Sequence, residues 1–129
     1  MEDRRPKIIE DLGFNFKIDF EKLWKLEVPI TEINIEELVW HFDIPFWEKD
    51  DTDDWNLTPW EVLNQTGESK EHQKKVEEAN LEYPIDIMKN KDKWLVLDGL
   101  HRLAKAYKLG HKKIKVRIIS PEKIREVTI

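Results

Sequence analysis

The chain has 129 residues, 22 Lys and Arg against 27 Asp and Glu for a net charge of −5, and no cysteine. That length supports one domain around a single core, and the acidic balance argues against a general DNA- or RNA-binding protein, which needs a basic face to neutralise phosphates. The missing cysteines exclude disulfides, thiolate catalysis and thiolate metal sites. No apolar run approaches the ~18 residues of a membrane span, and no apolar signal core follows the charged residues 1–6, so a cytoplasmic protein is expected.

In chain order, residues 1–13 read as a loose terminal arm and 14–129 as the domain. Phe14 to Phe20 alternates apolar and polar with period two, which predicts a half-buried strand or an extended arm over the core. Leu23 to Ile30 reads as a strand closed off by Pro29. Asn34 followed by Glu37 has the spacing of a capping box and predicts a helix through about Phe42. Asp43 to Leu57 is irregular. Its Asp50, Asp51, Asp53 and Asp54 are either a solvated acidic loop or a chelator, but the glycine and closing glutamate of a calcium loop are missing. Thr58 and Pro59 start a helix, and a second, mostly charged helix is predicted over Ser69 to Ala79. Lys89 to Lys93 makes the turn of a hairpin between Ile85–Met88 and Trp94–Leu97. Lys113 to Ile119 is a strand, and Pro121 to Glu126 a last helical turn.

Five of the six tryptophans, Trp24, Trp40, Trp47, Trp55 and Trp60, fall within the first 60 residues. Aromatics this dense either build a core or line a groove for a planar ligand or a partner; Trp47 and Trp55, beside the acidic loop, are expected to be the exposed ones. The four histidines, His41, His72, His101 and His111, show no ligand spacing, so no zinc or other protein-held metal site is expected.

The stretch from Trp94 to Gly110 carries the chemistry. Trp94 to Leu97 is a short buried strand, Asp98 and Gly99 a turn, and Leu100, Leu103, Ala104 and Tyr107 one apolar helical face ending at Gly110. A helix N-terminus presents unpaired N–H groups and the positive end of the macrodipole, so it attracts anions. Gly99 would let a phosphate approach the backbone, while Arg102 and His101 would donate to it. The other reading is a turn capped by Asp98, with His101 and Arg102 solvated. Residues 89–129 carry +8, which leaves −13 on residues 1–88, either a local field that draws a polyanionic ligand or simply a charged solvated face.

Asp98 to Arg102 resembles the Gly-x-His-Arg box of the ParB/sulfiredoxin superfamily. Val28 to Ile33 looks like that fold's opening element, Tyr83 to Ile87 like the strand ahead of the box, and Lys113 to Ile119 like its closing strand, so the resemblance spans about residues 24–120. It implies an α+β domain, a small mixed β-sheet with flanking helices, and a nucleotide site: ATP in sulfiredoxins, CTP in chromosome-partitioning proteins, ADP in archaeal free-serine kinases. Carried over by position, Gly99, Leu100, His101 and Arg102 contact the phosphates. Lys105, a turn further along, joins them. Leu100 stands where sulfiredoxins keep their reactive cysteine, so that chemistry is excluded, and the box differs from the Gly-Glu-Arg-Arg type of the partitioning proteins. The Asp-Gly-x-His-Arg spelling matches the serine kinases.

Phosphoryl transfer also needs a carboxylate to orient or deprotonate the acceptor hydroxyl. Glu32, which the resemblance brings near the box, is the candidate, with Glu37 second. His101 and Asp98 complete the catalytic set, Asp98 holding metal or water near the phosphates or capping the helix. The expectation is a nucleotide-binding protein, a small-molecule kinase using ATP or ADP (or a CTP binder) with Mg²⁺ and a small-molecule substrate. The alternative is a non-catalytic nucleotide-binding or protein-interaction module with a protein partner. A nuclease fits poorly with the acidic balance.

Overall fold

Alternation of apolar residues decides which side of the sheet each strand residue faces. Ile87 and Val96 join one apolar cluster and their neighbours Met88 and Leu97 the other, as a pleat of period two requires. A computed structural model describes residues 5–14 and 16–129. Its elements run α1 (Lys7–Asp11), α2 (Phe20–Lys25), β1 (Ile30–Asn34), two 3₁₀ turns (Ile35–Glu37 and Val39–Asp43), α3 (Pro59–Leu63), α4 (Lys70–Glu78), β2 (Ile85–Asn90), β3 (Lys93–Asp98), α5 (Leu100–Lys108), β4 (Lys113–Ile118) and α6 (Pro121–Val127).

This is a small mixed α+β domain. The strand order is β1-β4-β2-β3, with β1–β4 and β2–β3 antiparallel and β2–β4 parallel. The parallel pair exists because the hairpin β2–β3 is followed by α5, whose length returns the chain to β2's other side. Phe42, Leu57, Val76 and Leu103 pack beneath one face, while α2 and α6 bring Leu23, Ile124 and Val127 to the other. None of the described helices is long and apolar enough to cross a membrane.

Four expectations are corrected. The arm does not stop short of the domain: Ile9 of α1 is fully buried, and Asn90 Nδ2 donates to Leu12 O at 2.9 Å. Phe14 to Phe20 forms no strand among its described residues. Ile18 makes a single bridge to Thr128, and Phe20 already begins α2; Asn15 lies outside the described residues. Leu23 to Ile30 is half helix, because Asp19 caps α2 by accepting from Lys22 N, and Phe20, Leu23 and Trp24 have helical spacing. At 34–42 the chain makes only 3₁₀ turns, and Asn34 caps nothing. The capping box forms instead at Thr58 and Glu61, where Pro59 pre-sets the first turn. The hairpin is as expected but tighter: its strands reach Asn90 and Lys93, and Lys91 takes φ 55° in the turn.

Candidate functional site

The turn after β3 can be built only with glycine. Gly99 has φ 108°, and a Cβ there would stand 2.4 Å from Ile85 Cγ2 and 2.8 Å from an Arg102 guanidinium nitrogen. Gly99 is also the N-cap of the nine-residue α5, and no described side chain caps it, so the helix's first amides are left to an outside acceptor. Asp98 does not cap, contrary to the solvated-turn reading.

Asp98 instead accepts from Trp24 Nε1 at 2.7 Å and lies 3.6 Å from an Arg102 Nη. That is a loose ion pair, which leaves the guanidinium's terminal nitrogens donors to spare, while Arg102 Nε is sealed without a partner. The position of Trp24 is fixed from below. Arg117 pairs with the buried Asp86 at 2.6 Å and donates to Leu26 O and Leu23 O at the end of α2. Burial raises the Asp86 carboxyl above its ordinary value, with Arg117 pulling the other way.

Three hollows meet at the turn. An apolar cleft of about 570 Å³ is walled by Phe14, Phe46, Trp47 and Trp55 and ends at Gly99 and His101. A polar hollow of about 300 Å³ between α4 and α5 is lined by Lys75, Gly99, His101 and Arg102. A third, of about 530 Å³, lies between Trp24, Tyr83, Arg102 and Arg117.

His101 turns into the protein. Its Nε2 is 2.8 Å from His72 Nδ1, and the planes of the two rings differ by 5° with centroids 5.1 Å apart, the spacing of rings joined edge to edge in one plane. Trp47, only 6% exposed, lies parallel over both at 4.8 and 4.4 Å. Beyond His72, Glu48 Oε1 is 3.1 Å from His72 Nε2, though off the line of its N–H. A carboxylate only accepts, which assigns the tautomers. His72 carries its proton on Nε2, His101 Nε2–H donates to His72 Nδ1, and His101 Nδ1 is left bare. That atom has no described hydrogen-bond partner and is not among the sealed polar atoms.

Burial first, then the neighbouring His72 ring, which could not share a second positive charge, and the cations Lys75 and Arg102 push His101 down to about 3. Burial lowers His72 as well, against the pull of Glu48. In this tautomer neutral His101 offers an acceptor at its open nitrogen, whereas the phosphate contact expected of it calls for a donor.

Other sequence candidates stand elsewhere. Glu32 is exposed on β1 opposite Lys115, and β4 and β2 separate that strand from β3, a distance of about 14 Å at the usual strand spacing. Glu37 is exposed in a 3₁₀ turn. Lys105 donates to Glu77 O and Ala79 O, both at 2.8 Å, closing α4's C-terminus as a cation should. Leu100 lines the apolar cleft. Asp50, from the acidic loop, accepts from Lys70 N and Glu71 N and caps α4. Trp47 is buried rather than exposed, whereas Trp55 lines the cleft. Glu48 and His72 are site residues that the sequence does not mark. The only signal for the histidine pair is that each has helical spacing to its own core face, which many residues share.

Among described residues no group of three or more His, Asp or Glu side chains is placed to hold a metal ion. Fold and site together define a small α+β domain with an uncapped, glycine-cradled helix N-terminus between an aromatic cleft and basic side chains. No family model matches the chain, and no curated protein matches it. Among solved structures it is similar to sulfiredoxin from Arabidopsis thaliana, at 19% identity over 76% of this chain and 94% of that chain, with a TM-score of 0.37.

Proposed function

We propose that the protein binds a nucleotide, with phosphates at the Gly99–Arg102 turn and the base among the aromatics of the adjoining cleft. The observation that carries this reading is the uncapped N-terminus of α5, which Gly99 brings up against the Arg102 guanidinium because it has no Cβ to hold Arg102 and Ile85 away. Arg102, whose terminal nitrogens have only a loose partner in Asp98, offers the charge-assisted contacts. The aromatic wall suits a planar base, which stacks at low entropic cost.

Within that reading the chain is a phosphotransferase of the small-molecule kinase type, using ATP or ADP. Backbone amides and guanidinium hold the transferred group, and the bare nitrogen of His101, in the same polar hollow as Arg102, faces the acceptor. A divalent cation would travel on the phosphates as part of the substrate. A chain without cysteine suits a cytoplasmic address. A second reading, a protein-interaction module, is favoured by Phe20 and Trp24, exposed at 43% and 59% on one helix.

Calorimetry of ATP, ADP, CTP and GTP with Mg²⁺ tests the first reading. One nucleotide should bind the wild type, and Arg102→Ala should weaken it by about 1.5 to 3 kcal/mol, the value of a hydrogen bond to a charged group. Absence of binding by all of them would overturn the reading and favour the interaction module.

A further inference from the structure

Phosphate binding as described makes no use of His72, 2.8 Å behind His101, or of Glu48, 3.1 Å beyond His72. We propose that these three side chains form a proton wire: His101 Nδ1 takes the proton of the hydroxyl that attacks the bound nucleotide's terminal phosphorus, and His72 passes the charge on to Glu48. The proposal rests on the nucleotide reading.

Each step balances. The acceptor's O–H bond breaks and Nδ1–H forms on His101. The His101 Nε2 proton moves to His72 Nδ1 across their 2.8 Å bond, and the His72 Nε2 proton moves to Glu48, 3.1 Å away. The acceptor oxygen bonds to phosphorus, and the shortened nucleotide departs with the electron pair of the broken P–O bond. Both rings end neutral, in the opposite tautomers. Only Glu48 has changed charge, and its side chain is 39% exposed, open to exchange with water.

Neutral rings are what the surroundings require. Burial and the charges of Lys75 on α4 and Arg102 on α5 oppose a cation at His101. Arg5 and Lys17 from the N-terminal segment line the same cleft. Glu71 on α4 and Glu48 itself act in the other direction, at His72. A base that cannot keep a proton as imidazolium works only if it can hand one on. Trp47, parallel over both rings, holds them coplanar and keeps water from the junction. His101 is thus the catalytic residue, and His72 and Glu48 are positioning and proton-accepting residues behind it.

The test uses the full chain, ¹⁵N-labelled at histidine. At pH 7 the side-chain spectra should show His72 and His101 both protonated at Nε2, with a coupling across their shared bond. Phosphate release from ATP or ADP, with water as acceptor, supplies the second readout. Glu48→Gln should lower kcat at least tenfold while leaving nucleotide affinity within twofold. Glu48→Asp should restore part of the rate. A proton on Nδ1 of His101, or an unchanged kcat in Glu48→Gln with nucleotide bound, overturns the wire alone. Failure of the wild type to bind any nucleotide overturns the parent reading and the wire with it.

Discussion

His41 and His101 are both held neutral by burial, yet they do opposite things. His41, 1% exposed, uses both ring nitrogens on the backbone: Nδ1–H donates to Leu38 O at 2.7 Å, and Nε2 accepts from Val96 N–H at 3.0 Å. It ties the 3₁₀ turn to the edge strand and is pushed down to about 4, chiefly by burial. His101 meets protein with one nitrogen and leaves the other open to two hollows. A buried imidazole with every valence satisfied is architecture; one with a lone pair left over, at the uncapped N-terminus of a helix, is not spent on architecture.

Among single substitutions the largest expected effect is on the structural side of that contrast. His41→Ala removes a ring from the core and orphans the Val96 N–H, which should cost about 3 to 5 kcal/mol in urea unfolding at pH 7. A loss under about 1 kcal/mol would place His41 outside the scaffold.

Acid should expose both residues together. The unfolded chain's histidines titrate near 6.5, while folded His41 and His101 titrate near 4 and 3. Below pH 6.5 the unfolded state therefore binds protons that the folded state refuses, and stability falls as pH drops from 6.5 to 4. The slope approaches about 1.4 kcal/mol per pH unit for each such group. Thermal melts across this range should show the decline, and His101→Gln should flatten part of it. A stability curve level from pH 7 to 4.5 would contradict the burial of both rings.

The smallest effect is the stability cost of His101→Gln at pH 7. Gln retains a donor for His72 and leaves no orphaned backbone group, so the loss should be on the order of 1 kcal/mol or less. A loss as large as that of His41→Ala would make the two histidines equivalent and erase the distinction.

What could be read in advance was local. The hairpin, the glycine turn and α5 were legible because their signals lie within a few positions: alternation in the strands, a positive-φ residue, and an apolar face at i, i+3, i+4 and i+7. The start of α3 was legible for the same reason, Thr58 and Pro59 acting within one turn. The errors come where two local signals compete. Leu23 to Ile30 is apolar enough for a strand, but Asp19 caps a helix there. Asn34 and Glu37 have capping-box spacing, yet Asn34 ends a strand paired to β4, which holds its backbone extended.

The sequence by itself determined the glycine-cradled helix end and the basic residues around it, because these arise between neighbours along the chain. Only the tertiary structure decided that Glu32 lies on the far edge, that Lys105 closes α4, that Asp50 caps a helix some twenty positions away, and that His101 meets His72 under Trp47. Those outcomes depend on strand order and on how α4 packs against α5, and contacts between residues tens of positions apart leave no periodic mark in either segment alone.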